Sequence, residues 1–397
     1  MTNTLPGALD ANHRNAGIDA LRGVAIIMVL LDHVSIRMPL AKTGLATVVP
    51  SGVLRFLTHQ GHHSVFMFFV ISGFLITTNI LRRYGVLGRI QLPLFYARRF
   101  SRIVPCLFVL LGVLSLLDAL SIKGFIIDRT HHSLSGALCS ALGMYLNWYE
   151  CFTGYLPANW DVLWSLSIEE VFYLAFPLLC LCLPSLTKKQ IIIFGFAALS
   201  LPFIMLAMSG APLMWRHKAY LPGAAALSAG VVAALLARDE HTKSFWISVL
   251  GWSGAFGLVL TGILSFFVSP LVADVLMVGL TLSVAALLIA FSKGWGVVLR
   301  HSAFAWVRSF GIMSYEIYLT HMFVVTFLVQ AYRAASFSEQ SSWLCFPVAL
   351  GGAWLLGYGV DRLLSYPAER GMRTMFLRLF PALGMRPQET EGGSASR

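Results

Sequence analysis

The hydrophobic positions of this chain fall in long runs with no period-two alternation. Eleven stretches can be drawn, at 18–36, 62–81, 100–120, 132–148, 163–184, 190–209, 219–237, 245–268, 271–292, 306–330 and 343–365. A helix of roughly 20 apolar residues crosses a bilayer core. A spanning backbone must satisfy its own hydrogen bonds, so it forms a helix or a closed barrel. Runs of this length without alternation predict helices. The fourth stretch is the weakest, because it is short and carries Ser133, Ser135, Ser140 and Asn147. Pro105, Pro177, Pro202 and Pro270 lie within or at the ends of stretches, where membrane helices tolerate kinks.

Composition agrees with that pattern. The chain is 57% hydrophobic and 12% charged, with a mean hydropathy of +0.75. A soluble domain holds roughly 25% charged residues, so the apolar surface here must be covered by lipid. The net charge is +11, but its basic residues sit in short loops and not on a folded face outside the membrane. That speaks against a nucleic-acid partner and for a topology signal, with an anionic ligand as a further role.

Loop charge also decides the fourth stretch. The loop after the second stretch contains Arg82, Arg83, Arg89, Arg98, Arg99 and Arg102, which places it and the N-terminus in the cytoplasm. If 132–148 does not span, then Lys188, Lys189, Arg238, Lys243, Lys293, Arg300, Arg308 and the C-terminal arginines also fall inside. If it spans, they all fall outside. The expected architecture is therefore an all-α polytopic transmembrane helical bundle of about ten spans. Both termini are cytoplasmic and 132–148 is half-inserted or interfacial. Residues 1–16 form a cytoplasmic N-terminal segment and 17–366 the transmembrane domain. Residues 367–397 form a tail, basic at Arg370, Arg373 and Arg378 and then disordered. No small-residue cleavage site follows the first stretch, which reads as an uncleaved span.

The cysteines, Cys106, Cys139, Cys151, Cys180, Cys182 and Cys345, show neither metal spacing nor a disulfide framework. They read as small packing residues. His59, His62 and His63 also lack metal spacing and read as interfacial. No metal is expected. Ser72-Gly73 reads as a close helix contact.

Ionisable residues inside spans are costly and mark function by default. The first stretch runs Gly17-Ile18-Asp19-Ala20-Leu21-Arg22 and ends Asp32-His33. Arg22 and His33 lie within about 20° on a helix and roughly 16 Å apart along its axis, with Asp19 on the same face. A plain salt bridge between Asp19 and Arg22 is the structural alternative. An imidazole there suits proton or acyl transfer. Arg98, Arg99 and Arg102 open the third stretch at helical spacing. Adjacent guanidinium groups suit phosphate; topology alone is the alternative. Trp164-Ser165-Leu166-Ser167-Ile168-Glu169-Glu170-Val171-Phe172-Tyr173 opens the fifth stretch. Its carboxylates have no basic neighbour in sequence and need a partner from another helix. Ser314, Tyr318 and His321 line one face of the tenth.

With these clusters the chain resembles the acyltransferase-3 family of integral membrane O-acyltransferases. Arg22 and His33 match that family's arginine, ten residues, histidine pattern, and Arg99 and Arg102 its arginine pair. Ser167, Glu169, Phe172 and Tyr173 match its serine–glutamate–phenylalanine–tyrosine pattern. Ser314, Tyr315, Tyr318 and His321 match its late tyrosine–histidine pattern, and Phe69 to Phe74 its second-span signature. The matches run in order from about residue 14 to residue 370. The resemblance implies transfer of an acyl group, usually acetyl, from acyl-CoA to a hydroxyl of a glycan or glycoconjugate. Some relatives carry a further extracytoplasmic domain after the last span. None is expected here, so direct transfer or a separate partner is anticipated. Arg22, Arg98, Arg99 and Arg102 would hold the donor's phosphates. His33 would act as general base or as transient acyl carrier, and Glu169 would orient it. Asp32, Tyr318 and His321 complete the expected catalytic set, and Trp164, Ser167, Tyr173 and Ser314 the substrate contacts. The acceptor would meet Ser314, Tyr318 and His321. The alternative of another class is a proton-coupled transporter or flippase of an anionic or sugar-linked substrate.

Overall fold

The structure, a computed structural model, describes residues 14–183 and 186–379. The N-terminal thirteen residues and the Glu-Gly-Gly-Ser end of the expected tail lie outside the described residues. Among the described residues there is helix and no strand. Ten helices carry the site and its supports. They are α1 (Ala16–Arg37), α2 (Gly61–Tyr84), α3 (Leu92–Ala119), α4 (Leu134–Leu142), α5 (Leu146–Thr153) and α6 (Leu163–Cys182). After them come α7 (Leu213–Lys218), α8 (Tyr220–Leu236), α9 (Ala305–Ile312) and α10 (Ser314–Ala334).

Eight helical stretches of the described chain are long and apolar enough to cross a membrane, and α9 with α10 makes a ninth if that pair, bent by 79°, is one span. Helix α1 has 22 residues, long enough to cross, but its Asp19, Arg22, Asp32 and Arg37 make it less apolar than the others. With α1 included the bundle reaches the ten spans expected. Its outward surface shows Phe196, Phe203, Trp252 and Phe256, each more than two-thirds exposed from protein. Only lipid can cover such a face, and the protein is an integral membrane helical bundle.

The fourth apolar stretch breaks into α4 and α5, of nine and eight residues. At 1.5 Å per residue each is roughly 13 Å long, under half of a bilayer core of about 30 Å. Ser133 stops the chain from starting this helix earlier by taking the Gly136 N–H as an N-cap. Pro105 and Pro177 lie inside α3 and α6, and Pro202 follows the break between Thr187–Leu199 and Leu201–Ala207.

Close backbone contacts at two helix seams set the helix register. A Cβ on Gly23 of α1 would stand 2.0 Å from the Val307 carbonyl oxygen of α9, and one on Gly311 would stand 1.8 Å from that of Asp19. Likewise a Cβ on Gly73 of α2 would meet the Leu227 carbonyl oxygen of α8 at 2.0 Å, and one on Gly230 that of Val70 at 2.0 Å. In lipid, where no hydrophobic drive brings helices together, such close approach supplies the packing. The contact read into Ser72-Gly73 is thus present. Helices α1 and α2 run antiparallel. Asp32, near the end of α1, abuts Gly61 at the start of α2, where an added Cβ would lie 2.5 Å from its Oδ2.

Substituting valine at Gly230 must separate α2 from α8. We expect destabilisation of about 1–3 kcal/mol, the usual cost of overpacking, seen as a lower melting midpoint of the detergent-purified protein. A valine at Gly112, which has open space around it, should leave the midpoint unchanged.

Candidate active site

The four polar clusters come from helices far apart in sequence, and each sends some of its residues to one cavity of about 150 Å³. Arg22 reaches it from α1, Ser72 and Asn79 from α2, and Arg99 and Arg102 from α3. Ser165, Glu169, Glu170 and Tyr173 line it from α6, and Ser314, Tyr315 and Tyr318 from α10. Phe68, Phe69, Ile71 and Leu75 form its apolar side.

Arg22, Arg99 and Glu169 are each positioned by a neighbour. Arg22 forms no ion pair with Asp19 among the described residues. Its Nη2 donates to Ser314 Oγ at 2.7 Å, tying α1 to the first turn of α10. The half-buried Arg99 guanidinium lies 4.2 Å from the centroid of the buried Tyr173 ring, a cation–π contact. The Tyr173 hydroxyl in turn donates to the Glu169 carboxylate one helical turn earlier. The carboxylate therefore orients the ring on which the guanidinium rests. Glu170 is buried and its Oε1 has no hydrogen-bond partner. Arg102 is exposed and marks the open end.

The opposite end is closed by a short polar contact. Ser165 Oγ and Tyr318 Oη lie 2.6 Å apart, and the tyrosine hydroxyl also donates to the Val162 carbonyl at 3.0 Å. Next to Tyr318 is an imidazole pair. The Tyr318 and His321 ring centroids are 5.8 Å apart, and those of His33 and His321 are 5.1 Å apart. Neither histidine lines the cavity. His321 is fully buried, and its Nδ1 meets the carbonyls of Tyr318 at 2.7 Å and Ile317 at 3.1 Å.

The other expected site residues lie as follows. Arg98 is not among the cavity's lining residues. Glu169 engages Tyr173, with no hydrogen bond to His33. Ser167 Oγ turns back to the Leu163 carbonyl of its own helix. Trp164 packs edge-on against Phe69. Asp32 stands at the N-terminus of α2, where a carboxylate is favoured by the helix dipole.

A second polar centre has no counterpart in the residues singled out from the sequence. Lys218, at the end of α7, holds Glu150 of α5 at 2.7 Å and Asp161 at 2.5 Å. Glu150 has no exposed surface, and its Oε1 also accepts the Leu156 N–H at 3.0 Å. The Lys218 ammonium lies 4.5 Å from the Tyr155 ring centroid. Beside it His62 stacks on His217 at 4.0 Å. Of the loop histidines, His62 is thus a packed ring, while His59 is exposed. Because α1 and α2 are antiparallel, this centre occupies the His33 end of the bundle, away from Arg99 and Arg102. The available signal was Lys218 and Glu150 beside apolar runs, each lacking an opposite charge within a helical turn. Among the described residues no group of three or more histidine, cysteine or carboxylate side chains could hold a metal, and the cysteines are free.

The structure is an all-helical membrane bundle with an arginine-lined cavity, and an imidazole pair lies next to its Tyr318. Residues 15–362 match the profile described as an acyltransferase domain, acyltransferase-3. The chain belongs to that family. Its relatives include a presumed O-acetyltransferase of Staphylococcus aureus (strain COL), 31% identical over 202 residues, which are 49% of this chain and 30% of the relative. The peptidoglycan O-acetyltransferase OatA of Listeria monocytogenes is 27% identical over 213 residues, 52% of this chain and 29% of the relative. The O-acetyltransferase OatA of Staphylococcus aureus (strain NCTC 8325 / PS 47) is 29% identical over 168 residues, 41% and 24%. The chain spans less than a third of the length of these curated relatives. No solved structure matches it.

Removing Lys218 strands a buried carboxylate. We expect Lys218→Met to cost about 3–5 kcal/mol, as when one partner of a buried pair is lost, while Lys218→Met with Glu150→Gln recovers most of it. Melting midpoints of the three proteins in detergent check this.

Proposed function

We propose that the protein is an integral membrane O-acyltransferase. It moves an acyl group, acetyl by default, from acyl-CoA to a hydroxyl of a glycan or glycoconjugate acceptor. The observation that carries this is the convergence of Arg22, Arg99 and Arg102 on one cavity whose closed end abuts His33 and His321. Coenzyme A bears several phosphates, and guanidinium groups match phosphate oxygens in charge and geometry. Arg102 at the open end and Arg99, held over Tyr173, would take the phosphates. The acyl thioester would extend along the apolar side toward Tyr318.

Loop charge supports a cytoplasmic arginine end, where acyl-CoA is made, with both termini on the same side. The Lys218 end then faces the extracytoplasmic space, where surface glycans lie. The named relatives are bacterial O-acetyltransferases, one of them acting on peptidoglycan, which supports a glycan acceptor and a bacterial inner membrane. His33 lies eleven residues beyond Arg22, roughly 16 Å along α1, and is the group on which transfer depends. Family membership favours this function over a proton-coupled transporter. A transporter would also require an ion gradient, whereas a transferase consumes acyl-CoA in detergent.

The test is thiol release from acetyl-CoA by the purified protein, with and without peptidoglycan fragments. Acceptor-stimulated release is expected, and His33→Ala should abolish it without changing expression. Arg99→Ala should raise KM for acetyl-CoA about tenfold or more, the loss of one charge-assisted contact, and Arg99→Lys should recover little of it, lacking the planar stack. Gradient-dependent substrate uptake with no thiol release would overturn the proposal.

A further inference from the structure

His321 is a buried imidazole on α10 with one nitrogen assigned and one left over. Its Nδ1 faces two carbonyl oxygens, of Tyr318 at 2.7 Å and Ile317 at 3.1 Å. Carbonyls only accept, so Nδ1 carries the proton and the neutral ring presents a lone pair at Nε2. That Nε2 is buried and has no hydrogen-bond partner. An orphaned buried acceptor is costly, and a ring held in one tautomer by backbone is what a general base requires. The His33 ring is 5.1 Å away, centroid to centroid, and Tyr318, three residues before His321, lines the donor cavity.

We propose that His321 Nε2 is the general base that accepts the proton of the acceptor hydroxyl, leaving His33 as the acyl carrier. This rests on the acyltransferase function proposed above. In the first step a His33 ring nitrogen bonds to the acyl carbon of acyl-CoA and the carbon–sulfur bond breaks. The departing thiolate takes the proton that His33 loses and leaves as the free thiol. In the second step the acceptor oxygen bonds to the acyl carbon, its proton passes to His321 Nε2, and the carbon–nitrogen bond to His33 breaks. The electron pair returns to the His33 ring, which is reprotonated from His321, so both imidazoles end neutral.

The test compares a weakly acidic hydroxyl with a nucleophile that needs no base. His321→Asn keeps an N–H for the two carbonyls but has no basic nitrogen. With acetyl-CoA as donor, it should transfer to peptidoglycan fragments about 10²–10⁴-fold more slowly than the native protein. Toward hydroxylamine it should remain within a few-fold, read as acetyl hydroxamate. His33→Ala should fail with both acceptors. Undiminished glycan transfer by His321→Asn overturns the proposal. So does parallel loss of hydroxylamine transfer, which marks a structural role, provided the variant's melting midpoint shows it folded. A native protein that acetylates neither acceptor instead defeats the underlying function.

Discussion

A guanidinium inside a lipid-spanning helix has no water to solvate it, so protein must surround it. Arg22 meets that constraint through Ser314, and the bond joins two helices nearly three hundred residues apart in sequence. Much else follows from this contact. It brings the first turn of α10 to α1, which places Tyr318 and His321 farther along the same helix and opposite His33. The bend of 79° between α9 and α10 sits one residue before Ser314. Helix α9 is thereby free to lie against α1 through Gly23 and Gly311 while α10 turns along the cavity.

Charge divides the bundle into two ends of different character. At one end Arg22 is supported by a hydroxyl and Arg99 by an aromatic face, so their positive charge stays available to an anion, with the exposed Arg102 beside them. At the other end Lys218 is neutralised by Glu150 and Asp161 and is not available in the same way. The first arrangement suits recognition of a phosphate-bearing ligand. The second suits cohesion of the short helices α5 and α7, which are too brief to hold themselves by their own hydrogen bonds.

Between the two ends stands a thin partition. Ser165 and Tyr318 meet in a short contact in the cavity lining, and the imidazole pair lies next to Tyr318. A pair of hydroxyls is easily separated by a ligand that replaces their hydrogen bond, whereas backbone-to-backbone glycine contacts are not. The α2–α8 seam at Gly73 and Gly230 is a backbone contact of the second kind.

The sequence by itself determined the helical membrane architecture, because lipid leaves the backbone no alternative and the period of apolar residues is local. It also marked Arg22, Arg99, Glu169, Ser314, Tyr318 and His321, since ionisable and polar residues stand out wherever every neighbour is apolar. The tertiary structure alone decided which of these touch. Arg22 meets Ser314 and Arg99 meets the Tyr173 ring, contacts between helices distant in sequence that local spacing does not reveal. The Lys218 centre is hidden in the sequence for the same reason. Its three charged members come from three short segments, and only the folded bundle brings the lysine against two carboxylates that have no charged neighbour along the chain.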